Sequence, residues 1–224
     1  MEPRYHAWIT AATLGGEFDA LGLEEIIKAN TAQDSLLSLL NIAPEHHVDN
    51  SRFADAWTYI EKQHLELRAT EDDRLQRRAL GRLLHTVQDL YAHSNYVDLW
   101  LACQPPGGTP PAHTIDPLDN AILTDPALRS GSYVPVLGIA YLIPVVGRWL
   151  ARLYVPEGSH EALNLDSPSR GPRFEYAWAS ACKRTRYEYS RAATAVLECF
   201  GAEGLARFRR PSAWRSSDKT RASP

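Results

Sequence analysis

Apolar residues recur at helical spacing along most of the chain, and no segment alternates in the manner of a strand. The stretch from Tyr5 to Leu14 predicts a short helix that ends at Gly15-Gly16. Leu21, Ile26 and Ile27, then Leu36, Leu37, Leu39 and Leu40, keep helical spacing up to the break at Pro44. Asn50 or Ser51 offers an N-cap for a helix carrying Phe53, Trp57, Ile60 and Leu65. Between Asp72 and about Ala102 there is no proline, and the only glycine is Gly81. Leu75, Leu80, Leu83, Leu84, Val87, Leu90, Tyr91, Val97 and Leu101 predict one long, largely buried helix there. The proline-rich run from Gln104 to Pro117 reads as a loop, Leu118–Leu128 as a short helix, Glu157–Pro172 as a second loop and Phe174–Phe200 as a long final helix. The expected fold is all-α: a single helical domain over residues 1–208, followed by a basic, disordered tail over 209–224.

Tyr133–Val155 is apolar all round and reads as a buried helix, a pocket wall or a lipid-facing hairpin. Its longest apolar run, Tyr133–Val146, is broken by Pro135, Gly138 and Pro144 and is too short for a membrane span of ~20 apolar residues. Composition adds little: 44% apolar and 23% charged residues are ordinary for a globular chain of 224 residues. The net charge of −3 demands no polyanionic partner, so nucleic acid is not expected. Cys103, Cys182 and Cys199 are odd in number and form no C-x-x-C pair. With no apolar signal-like stretch at the start, they point to a reduced, cytoplasmic setting.

The chemistry concentrates in His85-Thr-Val-Gln-Asp89-Leu-Tyr-Ala-His93-Ser-Asn95. Steps of four residues turn a helix by about 40°, so His85, Asp89 and His93 share one face. Two imidazoles flanking a carboxylate suit a divalent metal, zinc above all, and the central carboxylate is placed to bridge two ions. A solvated polar stripe or satisfied core histidines is the competing reading. His6, His46 or His47, His160, Asp34, Asp49 and Asp166 lie beside turns or helix starts and add further candidate ligands. Asn95 and Asn164 are placed either to orient ligands from a second layer or to cap local turns.

Taken in order, His6-Ala-Trp-Ile-Thr10, Asn30-x3-Asp34, His47-Val-Asp49, the His85–Asn95 motif and His160-x3-Asn164-Leu-Asp166 resemble the fungal heterokaryon-incompatibility (Het-C) family and its bacterial relatives. More remotely, the chain is similar to zinc-dependent bacterial phospholipases C and single-strand-specific zinc nucleases. The resemblance implies two or three zinc ions. Asp34, His47, His85 and Asp89 would hold one. Asp89 would bridge to a second that His6 also binds, and His93 and His160, with Asp166 or Glu161, would hold a third.

Such a cluster would activate a bridging water and clamp a phosphoryl group. Asp34 or Asp49 would orient or deprotonate that water. The expectation is a zinc-dependent phosphodiesterase. A phospholipid-like or small-molecule substrate ranks ahead of nucleic acid, because Tyr133, Leu137 and Leu142 in the apolar stretch suit an apolar group or a peripheral membrane contact. A non-catalytic, metal-stabilised membrane or protein-interaction module, and a biosynthetic hydrolase or lyase, are the alternatives.

Overall fold

The computed structural model of the chain describes residues 1–34, 44–105, 107–132 and 163–210. His160, Glu161, Tyr133, Leu137, Leu142, the rest of the apolar stretch and residues 211–224 lie outside them. The described residues form seven α-helices and no strand, so the fold is all-α. They are α1 (Pro3–Leu14), α2 (Ala20–Thr31), α3 (Phe53–Ala69), α4 (Asp73–His93), α5 (Tyr96–Ala102), α6 (Asn120–Leu123) and α7 (Arg173–Arg209).

α4 is the axis of the molecule. Asp72 caps its start, its carboxylate accepting from the N–H groups of Arg74 (2.9 Å) and Leu75 (3.2 Å), a feature worth about 0.5–2 kcal/mol. Every residue from Leu83 to His93 is buried, which requires neighbours on all sides. α2, α3 and α7 supply them. One apolar cluster joins Leu14, Ile26, Ile60, Leu67, Leu80, Leu84, Val87, Tyr189 and Phe208 at the N-terminal half of α4. A second joins Ile9, Leu90, Tyr91, Tyr96, Trp100, Phe174 and Ala177 at its C-terminal half. The polar site lies where the two clusters meet.

Gly81 sets the approach of α2 to α4. A Cβ there would overlap the Ile26 carbonyl oxygen and stand 2.7 Å from the Ala29 Cβ, so only glycine lets the backbones come this close. Arg77, 1% exposed, ties three helices together. Its guanidinium donates to Glu25 (2.6 Å), Asp73 (2.8 Å) and the carbonyls of Arg207 and Phe208. Gly201, at φ +68°, breaks α7 so that Phe208 folds back into the core. Arg209, expected in a loose tail, donates to the Tyr189 hydroxyl at 2.8 Å.

Several boundaries differ from the sequence pattern. The expected single helix from 72 to 102 is two, broken at Ser94, which is extended at φ −116°, ψ 168°. The break has a hydrogen-bonding cause. Ser94 pairs with Ser130 in an isolated bridge. The last carbonyls of α4 accept from other segments, His93 from Gly131 N–H (2.9 Å) and Ala92 from Leu165 N–H (2.7 Å). Asn50 and Ser51 do not cap α3, because both have left-handed backbones, at φ 58° and 55°. Arg52 occupies the N-cap. Leu65 and Leu75 point outward, and the helix expected over 118–128 spans only Asn120–Leu123.

Candidate metal centre

Four segments deliver donors to the central turns of α4. α1 brings His6, the turn after α2 brings Asp34, the 44–51 segment brings His47, and the segment before α7 brings Asp166. Asp89 stands at the centre, fully buried.

On its Oδ2 side, His47 Nδ1 lies at 2.9 Å and His85 Nε2 at 3.1 Å, and these two nitrogens are 3.1 Å apart. Asp34 Oδ1 lies 3.7 Å from His85 Nε2 and 3.9 Å from His47 Nδ1. Donors bound at about 2.0–2.2 Å around a tetrahedral zinc are separated by roughly 3.3–3.5 Å, and these separations bracket that value. A wider grouping of His6, Asp34, His85 and Asp89 also keeps one donor atom from each within 4.8 Å of the others. On the Oδ1 side of Asp89 lie His6 Nε2 at 3.1 Å and His93 Nε2 at 3.8 Å. Asp166 Oδ1 is 2.9 Å from His93 Nε2. The Met1 ammonium nitrogen sits among them, 2.6 Å from Asp89, 2.7 Å from His93 and 3.0 Å from Asp166.

The rings are held by their far nitrogens. His6 Nδ1 is 2.7 Å from Gln88 Oε1, His85 Nδ1 is 3.3 Å from Asn30 Oδ1, and His93 Nδ1 is 3.2 Å from the His47 carbonyl. Each partner is an acceptor, so each Nδ1 carries a proton and each Nε2 faces inward, a donor when the ring is charged and a lone pair when it is neutral. The inward Nε2 atoms of His6 and His85 meet the oxygens of Asp89; with both rings neutral this contact is acceptor against acceptor, and a proton or a metal ion between them relieves it. Two buried atoms carry the same signature. Among the described residues, His6 Nε2 and Asp34 Oδ2 have no hydrogen-bond partner.

Charge follows this geometry. Burial alone would raise Asp89, but His93, the ammonium, His85 and His6 hold it well below the carboxylate range. Asp34 is raised, by burial first and then by Asp89. Burial pushes His85 well below an ordinary imidazole. Burial also acts to lower His47, but the bond to Asp89 and the charges of Asp89, Asp34 and Asp49 raise it on balance. Two imidazole nitrogens 3.1 Å apart share at most one proton, and the opposite shifts of these rings agree with that. The Met1 ammonium is pushed up to about 11; burial opposes this, and Asp166, Asp89 and Asp34 outweigh it.

His47 is delivered by a strained turn. Val48, Asn50 and Ser51 all have φ between 55° and 58°, and a left-handed β-branched valine is uncommon. The 130–131 segment fixes it: Ser130 Oγ donates to the Val48 carbonyl, and Asn50 N–H donates to the Gly131 carbonyl at 3.0 Å.

Of the residues singled out from the sequence, His6, Asp34, His47, His85, Asp89, His93 and Asp166 come together. His47 rather than His46 enters the cluster; His46 packs on the Tyr59 ring with centroids 4.3 Å apart. Asp49 is buried in the turn beside His47, and its charge acts on that ring. Asn164 is buried just before Leu165. Asn95 points its amide elsewhere: it donates to the Ala127 carbonyl and accepts from Arg129 N–H, clipping a loop. Gln88 and the Met1 amine were not anticipated. A glutamine inside an unbroken buried stretch is the signal that marks Gln88, because such an amide must find partners. No residue pattern marks the amine.

Residues 4–106 match the family described as the VWA7 N-terminal domain. The von Willebrand factor A domain-containing protein 7 of Rattus norvegicus is 35% identical over 98 residues, and that of Mus musculus 34% over 98 residues. Each alignment takes in 41% of this chain and 11% of the relative, so the chain spans about a tenth of the curated relatives it matches. No solved structure gives a significant match. These findings overturn the resemblance to the Het-C family, the zinc phospholipases C and the zinc nucleases. The phosphodiesterase activity and the enzyme assignment that rested on it fall as well, and the interaction-module and biosynthetic alternatives drawn alongside it gain no support. The misleading signal was the His-x3-Asp-x3-His spacing, which any helix presenting a polar cluster on one face produces. His6, Asp34, His47, His85, Asp89 and His93 all fall within the matched span, and the chain's similarity there is to the VWA7 N-terminal domain.

Proposed function

We propose that this chain is a metal-binding helical domain in which divalent transition-metal ions, zinc by the donor set, hold α1, α2, the 44–51 turn and the 163–166 segment onto α4. The observation that carries this reading is the inward placement of His6 Nε2 and His85 Nε2 on the two oxygens of a fully buried Asp89, with each Nδ1 held by an amide oxygen. Nitrogen and carboxylate donors without thiolate suit zinc. One ion is assigned to Asp34, His47, His85 and Asp89, and a second to the other oxygen of Asp89 with His6, His93 and Asp166. At the second position the Met1 amine would yield its proton or its place. Ions bound this way contribute folding free energy, because the unfolded chain has no preformed site.

Elemental analysis of the purified chain, beside His85→Ala and Asp89→Asn, tests the reading. At least one zinc per chain in the wild type and a loss of it in both variants is expected. Less than one metal per chain after zinc reconstitution, or equal content in all three proteins, would overturn it.

A further inference from the structure

Behind the ring of donors, four uncharged polar side chains meet in the core: Thr10 of α1, Asn30 of α2, Gln88 of α4 and Thr185 of α7. All four are fully buried. The Gln88 amide uses every position it has. Its Oε1 accepts from His6 Nδ1 (2.7 Å) and Asn30 Nδ2 (3.1 Å), and its Nε2 donates to Thr10 (3.3 Å) and Thr185 (3.0 Å). Asn30 Nδ2 donates also to Thr10 Oγ1 at 3.2 Å, and Asn30 Oδ1 accepts from His85 Nδ1 at 3.3 Å.

These bonds are interdependent. The oxygen of Gln88 that faces His6 is the oxygen that receives Asn30. That bond in turn obliges Asn30 to present its own oxygen to His85. Turning over either amide alone sets N–H against N–H in a dry core, where an unmade hydrogen bond costs about 1–3 kcal/mol. The chain His6–Gln88–Asn30–His85 therefore has one internally consistent sense.

From this we infer that Gln88 is a positioning residue that ties the ring orientation of His6 to that of His85, so that both imidazoles present the same nitrogen to Asp89. Its consequence for metal affinity rests on the metal-binding reading; the coupling of the two rings does not. Both halves of the cluster are then set by one amide, and the Thr185 contact makes α7 part of the setting. Outer partners of this kind typically change metal affinity about 10–100-fold.

Two readouts on the full chain separate the possibilities. Long-range proton–nitrogen NMR of the imidazoles, in metal-free protein at a pH where the rings are neutral, reads which nitrogen carries the proton. Wild type is expected to show the Nδ1–H form for His6 and His85 alike. Gln88→Met should move His6 toward an averaged form while Asn30 still holds His85, and Gln88→Glu, which keeps an acceptor oxygen, should restore His6. Zinc titration of the same proteins should show about a 10–100-fold loss for Gln88→Met and recovery in Gln88→Glu. If Gln88→Met does not fold, Thr185→Val, which removes one partner of Gln88 Nε2, should shift His6 in the same direction. Rings protonated on different nitrogens in wild type, or a His6 signal unmoved in the variant that folds, would overturn the inference. Coupled rings in a chain that takes up no zinc would keep this inference and remove the metal reading. Zinc uptake with uncoupled rings would do the reverse.

Discussion

Two fully buried carboxylates, Asp89 and Glu188, sit in the same bundle and are neutralised by different means. Glu188 on α7 accepts from Arg184 Nε (2.8 Å), Arg191 (3.0 Å) and His64 Nε2 (2.8 Å). Two permanent cations surround it, and every contact is donor to acceptor, so the protein completes its own ion cluster. Asp89 receives the Met1 ammonium at 2.6 Å and is otherwise ringed by imidazoles. Three rings of its cluster, His6, His85 and His93, have already given their Nδ1 protons to Gln88, Asn30 and a backbone carbonyl. When neutral, His6 and His85 offer Asp89 lone pairs where Glu188 receives N–H groups. A buried carboxylate facing guanidinium is finished structure; one facing imidazoles is what the proposed metal reading needs.

The contrast can be broken at either end. Glu188→Ala has the largest expected effect: it strands Arg184 in the core, and removing one member of a buried pair costs about 3–5 kcal/mol. Denaturant melts should give the same loss with zinc and with chelator, since no ion takes part. Chelation of the wild type comes next. At free zinc about 100-fold above the dissociation constant, binding contributes about 2.7 kcal/mol. That corresponds to a fall in Tm of roughly 5–11 °C on removal. Asp89→Asn should melt alike with and without chelator, and a chelator effect that survives in it would place the ion elsewhere.

Gly81→Ala tests the frame of the site. Overpacking at that contact should cost about 1–3 kcal/mol. It should also weaken zinc binding, because α2 carries Asn30 and the turn after it carries Asp34. Zinc affinity unchanged by the substitution would separate α2 placement from the site. The smallest effect is on pH dependence. Burial alone would raise Glu188, but the His64 bond and the charges of Arg184 and Arg191 hold it below the ordinary range. Its stabilisation is therefore complete above the unfolded value of about 4.3 and is lost as pH falls through the lower folded value. Melts of Glu188→Gln and wild type should converge as pH falls below about 4.3 and through the lower folded value. Curves that stay parallel would show that the charge contributes nothing.

How much of this was legible in the sequence depended on whether a feature was local. The helices followed from apolar spacing, and the common face of His85, Asp89 and His93 followed from the helical repeat. The break at Ser94 did not, because its cause is a distant partner at Ser130. His47 could not be separated from His46 by position, since the left-handed turn at Val48 and its anchor at 130–131 decide which ring turns inward. Gln88 was hidden for a related reason: its four hydrogen bonds reach α1, α2 and α7, and none is sequence-adjacent. The same motif that located the cluster pointed to the wrong relatives, because spacing on a helix fixes a face and not an ancestry.

Zinc-edge X-ray absorption on the reconstituted chain tests the central claim most directly. A first shell of nitrogen and oxygen at about 2.0–2.2 Å, with the outer-shell pattern of imidazole and no sulfur, is the predicted result. It should be absent in Asp89→Asn. A sulfur shell near 2.3 Å, or a zinc spectrum unchanged in that variant, would contradict it.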